Sequence, residues 1–187
     1  MYLTNQQYEI IKKKVVELFQ FLNIHRIPID CFEVCRKMGI QLVPYSSLPE
    51  KKLQAIKKFS QDGVSLLWEE NGKSGWKIFY NDTMPSQRIR FTIMHEIGHI
   101  VLDHTEHSEL AESEANFFAR YALAPPPLVG QLEIEDYVEL STTFDLSLQC
   151  AFYAMKAYLK WLKYGSADLL DYEVNLLSLF QFKGGCV

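Results

Sequence analysis

The chain has 187 residues, 48% of them hydrophobic and 13% aromatic, with a formal net charge of -4. That length and composition suit one domain with a real core, or one domain plus a small appendage, and exclude a disordered chain. No segment approaches the ~18 uninterrupted apolar residues of a membrane span, and the opening MYLTNQQYEIIKKK lacks the order of a signal peptide, so the cytoplasm is the expected location.

Thr4 followed by Gln7 reads as a capping box. The helix it opens runs to about Leu22, with Ile10, Val15, Leu18, Phe19 and Leu22 near one face. Ile27-Pro28-Ile29 breaks it. Asp30 then caps a second helix over 31–38, closed by Gly39. Ile40 to Val43 alternates as a short strand. Residues 44–62 carry turn signals at Pro44 and Pro49 around a basic segment. Residues 1–60 hold ten Lys/Arg against five Asp/Glu. Lys12-Lys13-Lys14, Lys51-Lys52 and Lys57-Lys58 read as solvated helix faces. A contact with DNA is the weaker reading, because no sequence-reading nucleic-acid module is evident.

Val64 to Trp68 and Trp76 to Tyr80 flank Glu70-Asn71-Gly72-Lys73, a hairpin signal in which Asn-Gly favours a tight turn. A helix follows, with Ser86 as its expected cap. Its residues Phe91, Ile93, Met94, Ile97, Ile100, Val101 and Leu102 make it largely buried. A polar linker over 104–109 leads to a helix from about Leu110 to Leu123, stopped by the prolines at 125–127. Glu133 to Leu140 reads as a short helix and Thr142 to Asp145 as a turn. Asp145 or Ser147 opens a long helix to about Tyr164, and Asp168 to Phe180 forms a last one. Of the four cysteines, Cys31, Cys35, Cys150 and Cys186, the first two can share a helix face. Two partly buried free thiols is the preferred reading over a metal pair.

The buried helix contains His95-Glu96-Ile97-Gly98-His99. HExxH on a helix is a zinc-hydrolase signature: residues four apart share a face, so both imidazoles reach one metal while Glu96 poises a water. A motif this short also arises by chance, and its surroundings decide. A catalytic zinc takes three protein ligands and keeps one position open. The next helix offers Glu112 and Glu114. Glu112 is favoured because Asn116 lies one turn on, on the same face, where its amide can hold His95 or His99 by the non-ligating nitrogen. Glu114 has a salt-bridging or solvent-facing alternative. His104 and His107 compete as ligands but follow the helix closely. Small Ala111, Ala115 and Gly98 suit two closely packed helices, the glycine at a helix-propensity cost of about 1 kcal/mol.

Together with its flanks this region resembles the ImmA/IrrE family of metallopeptidases, intracellular zinc-peptidase-like proteins found with phage-type repressors, mobile elements and stress regulators. The residues that carry the resemblance are Arg90-Phe91-Thr92 before the HExxH string, Glu112-Ser113-Glu114-Ala115-Asn116-Phe117-Phe118-Ala119, Ala122-Leu123-Ala124-Pro125 and Phe144-Asp145-Leu146-Ser147. It covers about residues 25–165. Where the family commonly carries an arginine near position 155, Met155 and Lys156 stand here, and two extra prolines follow Pro125.

The resemblance implies His95, His99 and Glu112 as zinc ligands, Glu96 as the base, and Asn116 in a supporting place. It implies peptide-bond hydrolysis with a protein substrate, a helix-turn-helix repressor above all. His104, His107, Arg120 and Tyr121 are the candidates for stabilising the oxyanion. A regulatory binding module, adaptor or antitoxin, that retains a zinc site is the alternative function. The expected fold is α+β: a mainly helical zincin-like core with a small antiparallel sheet packed beside the HExxH helix. The expected division is a metallopeptidase domain over 1–125 and a C-terminal helical subdomain over 126–187.

Overall fold

Local chemistry sets the ends of many elements. The computed structural model describes residues 3–166 and 168–180. Helix α1 (Asn5–Leu22) opens on the capping box: Thr4 N–H donates to Gln7 Oε1 at 2.9 Å, and Gln7 N–H donates to Thr4 Oγ1 at 3.3 Å. Helix α2 (Cys31–Met38) starts where Asp30 Oδ1 accepts from the N–H groups of Phe32 and Glu33. It stops at Gly39, whose φ of +71° suits a residue without a Cβ.

Strand β1 (Gln41–Pro44) is followed by a short 3-10 turn and helix α3 (Glu50–Lys57), which fill the segment left open by the sequence. Strands β2 (Gly63–Glu70) and β3 (Lys73–Tyr80) form the expected hairpin. Asn71 and Gly72 both have positive φ, the geometry of a tight turn matched to strand twist. The sheet order is β1-β3-β2, with β1 parallel to β3 and β2 antiparallel to it. The sheet is therefore mixed where an antiparallel one was expected. A parallel partner arrives through a long connection, here α3 and its flanks, and leaves no local turn signal. Strand β2 is left at an edge.

Two compact units divide the chain, residues 1–11 with 30–119 and residues 12–29 with 120–187. In the first, helices α2 and α4 (Ser86–Val101) pack on the sheet. Pro85, not Ser86, precedes the first helical residue, and no side chain caps α4. Val34, Ile78, Ile93, Met94, Ile97, Ala115 and Phe118 are fully buried. Each large apolar side chain among them contributes roughly 1.5–3 kcal/mol of burial. A Cβ on Gly63 would lie 2.6 Å from Thr92 Cγ2, so the backbone of β2 runs directly against α4. The Tyr8 and Phe117 rings meet edge to face at 4.6 Å, joining the start of α1 to helix α5 (Glu109–Leu123).

The second unit holds α6 (Pro126–Gln131), α7 (Tyr137–Phe144), α8 (Leu148–Tyr164) and α9 (Asp171–Leu179). Its core includes Phe19, Leu128, Phe144, Leu176 and Phe180. Helix α6 occupies a stretch read from sequence only as a proline stop. Proline is well suited to the first turn of a helix, so the same residues that end α5 start α6. Asp136 caps α7, which sits later than the expected 133–140, and Ser147 caps α8 as expected. Glu173 accepts from Trp161 Nε1 at 2.7 Å and from Leu170 N–H at 3.0 Å, fixing α9 to α8. Cys186 lies outside the described residues.

Candidate metal centre

Four residues apart on α4, His95 and His99 turn their Nε2 atoms to within 3.0 Å of each other. Glu112, in the first turn of α5, completes a triangle: its Oε2 is 3.4 Å from His95 Nε2 and its Oε1 is 3.4 Å from His99 Nε2. Among the described residues these three form the group whose donor atoms lie within 4.8 Å of one another. The donor set tests well against zinc. Tetrahedral bonds of about 2.0–2.1 Å separate adjacent ligand atoms by roughly 3.3–3.4 Å, which the two 3.4 Å spacings to Glu112 match and the 3.0 Å between the imidazoles falls somewhat short of. Two imidazoles and one carboxylate are also a set that a catalytic zinc takes.

The histidine side chains are 14% and 12% exposed and that of Glu112 is 47% exposed, so the cluster opens to solvent on the Glu112 side. Burial, then the neighbouring rings of His95, His104 and His107, holds the His99 imidazole down at about 3. The ring is neutral at physiological pH, as a ligand must be.

Glu96 is buried on the sheet side of α4. Its Oε2 accepts two hydrogen bonds from one residue, Ser65 N–H at 2.7 Å and Ser65 Oγ at 2.7 Å. Desolvation raises its pKa, opposed by the Ser65 hydroxyl, the adjacent His95 and the Ser65 N–H. Both are expected of a base held in a fixed orientation in a dry site. Ser65 was missed from sequence. The one signal was a lone hydroxyl in a strand of otherwise apolar residues from Val64 to Trp68.

The rest of the histidines sort by position. Leu102 ends α4, and Asp103 takes a left-handed φ of 57° that turns the chain back. His104 N–H then reaches His99 O at 3.0 Å. So His104 does fold back, but onto the His99 ring: the two Nδ1 atoms are 2.9 Å apart. Its Nε2 lies 3.0 Å from Glu114 Oε2, which makes Glu114 a hydrogen-bond partner of His104 rather than a ligand. His107 is 82% exposed, with Nδ1 3.8 Å from Glu112 Oε1. The supporting hydrogen bond expected from Asn116 is not formed: His104 holds His99, and His95 Nδ1 is buried without a partner. Of the other oxyanion candidates, Arg120 is exposed and Tyr121 buried, both in the second unit.

Residues 35–155 match the peptidase M78 family, described as the IrrE N-terminal-like domain. The chain belongs to this family. The match takes in β1 to β3, α4 and α5, and so every residue of the donor triangle together with Glu96. Membership in peptidase M78 carries a metallopeptidase-type function and implies a metal, for which the His-His-Glu group is the candidate. A comparison with curated proteins found no match. No helix among the described residues is long and apolar enough to cross a membrane.

Proposed function

We propose that the chain is a zinc-dependent peptidase of the HExxH-plus-glutamate type that cuts a regulatory protein partner in the cytoplasm. The observation that carries this reading is the triangle of His95, His99 and Glu112 with buried Glu96 beside it on the same helix. When bound in such a set, zinc supplies Lewis acidity that makes water a nucleophile near neutral pH and polarises a carbonyl. The residues do the rest. Glu96 takes a proton from the attacking water as the C–O bond forms, then delivers it to the amine nitrogen as the C–N bond breaks. Ser65 occupies Oε2, which leaves Oε1 as the oxygen that carries the proton. His107, exposed beside Glu112, has the placement of a donor to the developing oxyanion.

Strand β2 supports a peptide substrate. It is an edge strand, and Ser65 turns its N–H away from β3 toward Glu96. By the alternation of an antiparallel ladder, Leu67 then presents its backbone groups on the same free edge. An extended peptide can add there as a further strand. A helix-turn-helix repressor as the substrate follows the family resemblance. The experiment is to mix the zinc-loaded protein with a helix-turn-helix repressor encoded beside its gene and to follow cleavage, with Glu96→Gln as control. Cleavage by the wild type alone is expected. Cleavage that persists in Glu96→Gln overturns the role given to Glu96. A repressor bound but uncut by both proteins favours a regulatory adaptor that keeps its zinc site.

A further inference from the structure

Behind the donor triangle runs a chain of hydrogen bonds whose directions can be assigned from one end to the other. Thr4 N–H donates to Gln7 Oε1 at 2.9 Å, as does the Thr4 hydroxyl at 2.9 Å, so the carbonyl end of that amide is fixed. Its NH2 end then faces Glu114, and Gln7 Nε2 donates to Glu114 Oε1 at 3.1 Å. The other carboxylate oxygen, Oε2, lies 3.0 Å from His104 Nε2. An ionised carboxylate only accepts, so the proton of a neutral His104 sits on Nε2 and its Nδ1 is a bare acceptor. That acceptor lies 2.9 Å from His99 Nδ1. His99 therefore carries its proton on Nδ1, and its Nε2 lone pair points into the triangle with His95 and Glu112.

We propose that Gln7, Glu114 and His104 are positioning residues that fix the tautomer and ring orientation of His99 so that Nε2 is the atom offered to the metal. This rests on the metal-site reading above and adds to it. His104 and Glu114 touch none of the three donor atoms in that role. They act through His99, the way outer partners of a ligating histidine orient its ring and raise its basicity. The chain is well shielded: the side chains of His99, His104 and Glu114 are 12%, 10% and 20% exposed. It also gives the left-handed turn at Asp103 a purpose, since that turn is what returns His104 to the helix it has just left. The capping box of α1 forms the far end, so the first turn of the chain's first helix is coupled to the site.

Two measurements test this. The first is the tautomer of His99 in the metal-free protein, read from long-range nitrogen–proton NMR correlations of its ring. A proton on Nδ1 is expected in the wild type, and a shift toward Nε2 in His104→Ala. The second is zinc affinity by competition with a chromophoric chelator. His104→Ala and Glu114→Ala are expected to bind about 10–100-fold more weakly, and Gln7→Ala less so. His104→Asn, whose side-chain oxygen can take the place of Nδ1 as acceptor, is expected to recover much of the loss. A proton on His99 Nε2 in the wild type overturns the proposal. So does an unchanged affinity in His104→Ala while His95→Ala loses zinc. Unchanged affinity in His95→Ala would overturn the metal-site reading instead, and the tautomer measurement still decides the chain of hydrogen bonds.

Discussion

Ser65 and Glu96, 31 residues apart in sequence, are joined by two 2.7 Å hydrogen bonds that end on the same carboxylate oxygen. One donor is the backbone of an edge strand and the other the hydroxyl of the same residue. The pair ties α4 to β2 at the point where the proposed chemistry occurs. It also eases a conflict in which burial has the larger effect. Burial disfavours an ionised Glu96, and two donors to one oxygen favour it. The side chain is buried and yet held ready as a base.

Removing the hydroxyl leaves the backbone donor in place, so Ser65→Ala should weaken the hold without abolishing it. A hydrogen bond to a charged group is worth about 1.5–3 kcal/mol, which corresponds to a fall of roughly 10–100-fold in kcat. Zinc content should be unchanged, because Ser65 does not touch the triangle. Ser65→Thr keeps the hydroxyl, suits a strand, and should retain most activity. Steady-state kinetics beside metal analysis check this. A kcat equal to that of the wild type in Ser65→Ala would remove Ser65 from the mechanism.

Gly98 is a packing requirement of α4. A Cβ there would lie 3.1–3.2 Å from three atoms of the Phe118 side chain, which is itself fully buried. Alanine gains about 1 kcal/mol of helix propensity, but overpacking a tight core costs about 1–3 kcal/mol. Gly98→Ala is expected to be less stable than the wild type by about 1 kcal/mol in urea denaturation. A double variant with Phe118→Leu should lose less than the sum of the single changes, because the contact that causes the strain is relieved. Strict additivity would show that the strain lies elsewhere.

The choice between Glu112 and Glu114 can be decided by metal content. Glu112 closes the triangle at 3.4 Å from both histidines, whereas Glu114 reaches His104. Glu112→Ala should fail to retain zinc through gel filtration. Glu114→Ala should retain part of it and show a weakened affinity. Loss of zinc from Glu114→Ala alone, or a stoichiometric ion in Glu112→Ala, would reverse the assignment.

What could be read from sequence was what short-range chemistry decides. Asp30 and Gly39 bracket α2 to the residue, and Asn71-Gly72 marks the hairpin, because capping and positive φ are properties of a few adjacent residues. The spacing of His95 and His99 is equally local, whereas Glu112 is favoured over Glu114 in sequence through Asn116 and the family resemblance, and the Asn116 bond is not the one the fold makes. Long-range relationships were not legible. The parallel pairing of β1 with β3 and the bond from Ser65 to Glu96 each need the tertiary fold before any signal exists. In sequence, His104 follows the helix too closely to fold back easily. The turn that brings it back is made by Asp103, an aspartate in a conformation that glycine more often marks. Asn116 had the right spacing for a supporting role, but His104 already occupies the place behind His99.

Cys31 and Cys35 share a face of α2 and are both fully buried. Desolvation is the first cause in each, and it pushes both thiols from an ordinary 9.0 up to about 12. The nearby Arg90 pulls Cys31 the other way and is outweighed, while Cys31 and Asp30 add to the rise at Cys35. Thiolate is the reactive form, so both residues should resist iodoacetamide at pH 8 in the native protein and react fully in denaturant. Peptide mass spectrometry reads the result, and rapid native labelling at either position would contradict the buried-thiol reading. Stability should follow the same shifts. Below pH 9 both states hold these protons and nothing is lost. Between 9 and about 12 the unfolded chain releases protons that the folded chain retains, so the unfolded state binds fewer and stability falls as pH rises. Urea midpoints measured from pH 8 to 10.5 should therefore fall less steeply in a Cys31→Ala, Cys35→Ala double variant than in the wild type. Parallel slopes would mean that the two thiols do not contribute to the alkaline loss.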